Sequence, residues 1–177
     1  MLVVNFFGAP STGKSTTAAS VFSMLKRKGI EVELCSEYAK TLVWAKRTRN
    51  LEDSISVFAK QNSILNSLFG HNVDVAITDS PLPLFLVYSP PQYFKGFEPL
   101  VMEVFNSYNN FNVYLSPGVK YSSVGRVHSE EESILLDRKL SNIIKKYKLE
   151  MIYGSSTEES DRSVVEEILQ RLEGHVD

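Results

Sequence analysis

An α/β fold built on a mostly parallel sheet is predicted by three observations. Five short runs rich in Val, Ile, Phe and Tyr recur along the chain, each followed by a helical pattern. The runs are almost continuously apolar, as strands covered on both faces should be. Strict strand–helix alternation then leaves parallel pairing through right-handed crossovers as the short-loop solution.

Taken in order, the strand runs are Leu2–Phe7, Glu31–Ser36, Asp74–Thr78, Asn112–Leu115 and Glu150–Tyr153. The helical patterns between and after them are Ser15–Lys28, Tyr38–Lys46, Leu51–Phe69, Glu98–Asn106, Glu130–Tyr147 and Asp161–Leu172. In the last, Val164, Val165, Ile168, Leu169 and Leu172 share one helical face. Gly29 and Gly70 follow the first and third helices as C-terminal stops. Two segments break the alternation. Ser80–Phe97 holds four of the seven prolines together with Phe85, Tyr93, Phe94 and Phe97. Ser116–Ser129 is polar and carries Gly118, Gly125, Arg126 and His128. Both read as binding loops or lids, the second a lid spanning about residues 117–130.

Length and composition narrow the class. The 177 residues suit one domain, and 43% hydrophobic with 23% charged residues is average globular usage. A net charge of −2 gives no broad electrostatic footprint for duplex DNA. The lone Cys35 lies in an apolar run, excludes an internal disulfide and fits a reducing, cytoplasmic setting. No segment reads as a membrane span or export signal. A monomer and a homodimer are both compatible with these numbers.

The most specific motif is Gly8-Ala9-Pro10-Ser11-Thr12-Gly13-Lys14-Ser15, followed by Thr16. It satisfies G-x-x-x-x-G-K-[ST] between a strand run and a helical pattern, the context such a loop requires. Glycines let the backbone wrap an anion, and loop N–H groups with the helix N-terminus supply positive potential. Lys14 is placed to reach the β- and γ-phosphates and Ser15 to ligate Mg²⁺, which points to a nucleoside-triphosphate site. Asp79, at the end of the third strand run, is a candidate metal carboxylate, with a turn-initiating Asp-Ser-Pro as the plainer alternative.

Glu37, after the second strand run in Ser36-Glu37-Tyr38-Ala39-Lys40, can accept a proton from an attacking hydroxyl or simply favour a helix dipole. Lys40, Trp44, Lys46, Arg47 and Arg49 form a basic and aromatic patch. It could hold a substrate phosphate or a nucleic-acid backbone, or be a solvated helix face anchored by Trp44. Gln61 could read a base edge with its two-sided amide, or be an ordinary helix glutamine. Ser129 and Glu132 have capping-box spacing, while Arg126 precedes the cap and can reach a transferring phosphoryl group.

With these motifs together (the phosphate loop, Ser-Glu-Tyr-Ala-Lys, Gln61, Thr78-Asp79-Ser80-Pro81, and Gly125-Arg126-Val127 before Ser129-Glu130-Glu131-Glu132), the chain resembles small P-loop kinases. It is most similar to the nicotinamide-riboside-kinase-like, NadR-type group, many of whose members are phage-encoded. The resemblance implies a P-loop NTPase fold with a five-stranded parallel sheet in 2-3-1-4-5 order, helices on both faces and a lid. It further implies ATP·Mg²⁺ as donor, a lid arginine, here Arg126, and an acidic residue after the second strand, here Glu37. With the residue readings above, the expected catalytic residues are Lys14, Glu37, Asp79 and Arg126, and the expected acceptor-binding ones Glu37, Tyr38, Lys40, Trp44 and Gln61. Related deoxynucleoside kinases carry acidic-Arg-Ser after the third strand, where this chain has Asp79-Ser80-Pro81. Phage kinases acting on hydroxymethyluracil in DNA also resemble this group, and the Lys40–Arg49 patch would suit DNA. The alternatives to a kinase are a nucleotide-dependent switch ATPase and a non-catalytic nucleotide-binding module.

Overall fold

The computed structural model describes residues 1–90, 92–116 and 129–174. Strands β1 (Leu2–Phe7), β2 (Val32–Cys35), β3 (Val75–Thr78), β4 (Asn109–Leu115) and β5 (Ile152–Gly154) form one sheet in the order β2-β3-β1-β4-β5. Every pairing is parallel. The central strand β1 is fully buried, which explains why every residue in it but Asn5 is apolar. This is the P-loop NTPase architecture that the resemblance implies.

Among the described residues, seven α-helices cover the sheet: α1 (Lys14–Arg27), α2 (Tyr38–Trp44), α3 (Ser54–Asn66), α4 (Leu84–Tyr88), α5 (Phe97–Asn106), α6 (Glu130–Tyr147) and α7 (Glu158–Glu173). Successive strand residues point to opposite faces, so β1 feeds two cores. Leu2, Val4 and Phe6 pack with Ala18, Val21 and Leu25 of α1 and Val164, Val165 and Ile168 of α7. Phe7 and Tyr114 face the other way, toward Leu42, Phe58, Phe85, Val101, Phe105 and Leu140. Cys35 is buried with Val3, Leu65 and Ala76, as its apolar neighbours implied. Among the described residues, no helix is long and apolar enough to cross a membrane.

Three elements differ from expectation. The proline-rich stretch was expected to be loop, yet it contains α4. Pro83 sits at the helix N-cap with φ −61°, where a missing N–H costs nothing, and Leu84, Phe85 and Val87 bury the turn. The single helix expected over Leu51–Phe69 is instead a 3₁₀ turn (Thr48–Glu52) followed by α3. Asp53 separates them by capping α3, accepting from the Ser56 N–H at 3.2 Å and its hydroxyl at 2.7 Å. Strand β4 begins at Asn109 rather than Asn112, because Asn5 bonds across to Asn110 (2.9 Å) and Asn112 (3.1 Å). That amide ladder lets polar residues lie in a buried strand.

Candidate nucleotide and acceptor site

The site lies at the C-terminal ends of β1, β2 and β3, where an open parallel sheet presents its ligand crevice. Backbone conformation builds the phosphate loop. Gly8 has φ 146°, and a Cβ there would stand 2.5 Å from Thr12 Oγ1 and 2.9 Å from the Leu115 carbonyl oxygen. Gly13 has φ 89°, and a Cβ there would meet Ser156 Oγ at 2.3 Å. Both positions therefore demand glycine, for conformation and for space. The loop closes on itself, with the Thr12 hydroxyl donating to the Ala9 carbonyl at 3.0 Å. Ser11 adopts φ 70°, and the Ser133 hydroxyl of α6 donates to the Pro10 carbonyl at 2.9 Å. The Lys14 ammonium lies across the loop, donating to the carbonyls of Gly8 and Ala9, each at 2.8 Å. Ser15 and Thr16 open the first turn of α1 and are exposed.

Asp79 joins this loop to the neighbouring turn. It is buried at the end of β3, where one carboxylate oxygen accepts from the Ser15 hydroxyl at 2.5 Å. The other accepts from the Glu37 backbone N–H at 3.1 Å. Glu37 is the N-cap residue of α2 in extended conformation, so its side chain leaves the chain where β2 meets the crevice. Gln61 of α3, only 2% exposed, fixes the same turn from behind. Its Oε1 accepts from the Tyr38 N–H at 2.8 Å, and its Nε2 donates to the Ser36 carbonyl at 3.3 Å. Both ends of the amide are thus engaged with backbone, and Tyr38 packs against the adjoining core.

A cavity of about 600 Å³ opens from the phosphate loop and runs beneath α2 and α4. Pro10, Lys14, Glu37 and Asp79 line one end, while Val57, Leu84, Phe85 and Tyr88 form apolar walls. Lys40, Arg49 and Glu52 also line it. The volume falls within the usual range for small-ligand sites. Trp44 is 61% exposed, so it is not the buried anchor of α2; Leu42 has that place. Burial pushes the Cys35 thiol up to about 11, with Glu33 adding repulsion, so the thiol is protonated near neutral pH and takes no part here.

The donor set fits a magnesium–nucleotide complex. Ser15 Oγ and the Asp79 carboxylate already meet beside the loop, and Mg²⁺ typically takes one or two protein oxygens plus phosphates and water. No cluster of three or more His, Cys, Asp or Glu residues able to hold a metal occurs among the described residues. An ion there would accordingly depend on phosphate oxygens.

Sequence comparison bears on the same region. A family model described as an AAA domain, AAA_28, matches residues 3–162. The chain belongs to this AAA-domain family. Nucleotide binding follows from that membership and from the phosphate loop. No curated protein matches the chain. Among solved structures, it is similar to one described as the crystal structure of NadR protein in complex with NR, with a TM-score of 0.71 and 19% identity. The alignment covers 97% of this chain and 51% of that one, so this AAA domain spans about half the length of its structural neighbour. The likeness establishes a shared fold.

The structure therefore brings Lys14, Asp79 and Glu37 to one cavity, with Lys40 along it and Ser15 bonded to Asp79 beside it. It places Gln61 behind the turn and Trp44 in solvent. Arg126, and with it most of the expected lid, lies outside the described residues. Of the segment expected to be lid, Ser129 is the N-cap of α6 and forms the anticipated capping box with Glu132. The sequence reading passed over Ser133 and the walls Leu84 and Val57. Ser133 was legible in retrospect, one turn after the cap and facing the loop, whereas the walls are apolar residues that nothing local sets apart from core.

Proposed function

We propose that this AAA-domain protein is an ATP- and Mg²⁺-dependent kinase that phosphorylates a hydroxyl of a nucleoside-like acceptor. One observation carries the reading: Glu37 and the phosphate loop open onto the same cavity, and Asp79 is hydrogen-bonded to both Ser15 and the Glu37 turn. A pure switch ATPase has no need of an organic-sized cavity beside the γ-phosphate position. The neighbour solved with NR adds support for an acceptor of nucleoside type.

In this mechanism the loop N–H groups and Lys14 hold the β- and γ-phosphates, Lys14 exchanging its present carbonyl partners for phosphate oxygens. Ser15 and Asp79 would hold magnesium, which when bound neutralises phosphate charge. The acceptor lies along the apolar walls with its hydroxyl toward Glu37. The Glu37 carboxylate takes the hydroxyl proton as the acceptor oxygen bonds to the γ-phosphorus and the bond from that phosphorus to the β–γ bridging oxygen breaks. ADP leaves with the bridging oxygen, and the phosphate ester remains on the acceptor. The sequence reading gives Arg126 the stabilisation of charge on the transferring group.

The test is ADP release with Mg·ATP against nicotinamide riboside, deoxynucleosides, nucleoside monophosphates, and DNA with and without 5-hydroxymethyluracil. Lys14→Ala serves as the blank. Stimulation by at least one acceptor supports a kinase. Basal hydrolysis unaffected by any of them would favour the switch ATPase.

A further inference from the structure

We infer that the acceptor is an anion: it carries a phosphate group of its own, which Lys40 and Arg49 hold at the cavity wall. This rests on the kinase reading above and narrows it from nucleoside-like compounds to phosphate-bearing ones. The segment from Lys40 to Arg49 has four cations, Lys40, Lys46, Arg47 and Arg49, and no acidic residue, in a chain whose net charge is −2. The fold divides that cluster. Lys40, on α2, and Arg49, in the 3₁₀ turn, line the same cavity as Glu37 and Lys14. Among the described residues neither forms an ion pair.

Position strengthens the assignment. Lys40 follows Glu37 by three residues on α2, which puts the two on one helical face about one turn, or ~5 Å, apart. That separation matches a sugar that offers one hydroxyl to Glu37 while a phosphate ester on another carbon reaches Lys40. The charges lining the cavity balance, Lys14, Lys40 and Arg49 against Glu37, Glu52 and Asp79, so what selects a phosphate is the placement of Lys40 and Arg49 rather than a net charge. A neutral nucleoside would offer Lys40 and Arg49 no counter-charge, whereas a phosphate would. The phosphate has two sources, a free mononucleotide or the backbone of a nucleic-acid strand. The exposed Trp44, on the same helix as Lys40, offers a stacking face in either case.

Trp44 is the sole tryptophan, so intrinsic fluorescence reports on this helix without any turnover. The intact protein is saturated with the Mg²⁺ complex of a non-hydrolysable ATP analogue, so that the phosphate loop is occupied. It is then titrated with thymidine, its 5′- and 3′-monophosphates, and single-stranded octadeoxynucleotides with and without 5-hydroxymethyluracil. The same ligands are compared as acceptors by ADP release. At least one phosphate-bearing ligand is expected to bind about ten-fold tighter than thymidine, the range of a charge-assisted contact. Lys40→Ala with Arg49→Ala should bring that ratio close to one, whereas Lys46→Ala with Arg47→Ala, outside the cavity lining, should leave the mononucleotide ratio intact. An octanucleotide outperforming both monophosphates identifies the strand as source; the converse identifies the free nucleotide. Thymidine binding as tightly as every phosphate-bearing ligand, or a ratio unchanged in the Lys40/Arg49 variant, overturns the inference. If ADP release still depends on an uncharged acceptor in that event, the kinase reading survives it. If no acceptor stimulates ADP release, the kinase reading itself fails.

Discussion

Replacing Gln61 with leucine removes the hydrogen bonds that hold the Glu37 turn against α3. The shorter of the two, from the Tyr38 N–H at 2.8 Å, is held by a side chain only 2% exposed. Leaving that N–H without its acceptor costs about 1–3 kcal/mol. The bond to Ser36 is longer, 3.3 Å, and Ser36 is exposed, so water replaces much of it. A total near 2 kcal/mol is expected, a fall of about 4–8 °C in melting temperature for a chain of this size. Gln61→Glu keeps an acceptor for Tyr38 and should lose less. Because the turn carries Glu37, Gln61→Leu should also lower kcat at unchanged KM for ATP, with partial recovery in Gln61→Glu. Urea unfolding and steady-state kinetics on the same preparations measure both effects. Stability within about 0.5 kcal/mol of the parent, the range of an inconsequential surface change, together with a raised acceptor KM at unchanged kcat, would refute this. Gln61 would then be reading the acceptor.

Four further outcomes are expected. Gly13→Ala should destabilise by about 1–3 kcal/mol, the cost of forcing a side chain into a left-handed position. Ser156→Gly in the same chain should recover the part due to the 2.3 Å clash and leave the part due to φ 89°, as a double-mutant cycle by thermal melting will show. Lys14→Ala should cut turnover at least about 100-fold, the scale of removing one transition-state charge contact, while circular dichroism stays native. Cys35, buried and with its thiol pushed up to about 11, should resist alkylation at pH 8 until the protein unfolds; prompt labelling of native protein contradicts that placement. Glu98 accepts from Lys146 at 2.6 Å and from Tyr147 at 2.7 Å, and these bonds hold its carboxyl below the ordinary glutamate range. Its folded pKa is depressed, so its contribution is complete above about pH 4.3 and vanishes as pH falls through the lower folded value. The melting temperatures of parent and Glu98→Gln should therefore converge on acidification; a gap that widens instead would reverse the sign.

The fold was legible because its signals are local and periodic. The near-continuous apolarity of Val75–Thr78 and Leu2–Phe7, broken only by Thr78 and Asn5, does not suit a strand with a wet face, and parallel pairing followed from the alternation. The phosphate loop was legible for a different reason: Gly8 and Gly13 are forced by backbone geometry that no other residue satisfies in the space available. Elements resting on tertiary contacts were harder. Pro81 and Pro83 read as a loop, yet proline at the start of a helix is favourable when the following Leu84 and Phe85 can be buried. Gln61 carries the same amide whether it reads a base or ties a turn, and only its distances to Tyr38 and Ser36 separate those roles. The cavity walls were hidden likewise, since Val57 and Leu84 look like core residues until the fold leaves space beside them.

In a kinase the γ-phosphoryl group goes to an organic hydroxyl rather than to water. The direct measurement follows the label from γ-labelled ATP with Mg²⁺ and each acceptor present, separating inorganic phosphate from phosphorylated acceptor. Label is expected on one class of acceptor, abolished by Lys14→Ala and strongly reduced by Glu37→Gln while ATP binding persists. Label released only as inorganic phosphate, at a rate no acceptor alters, would contradict it.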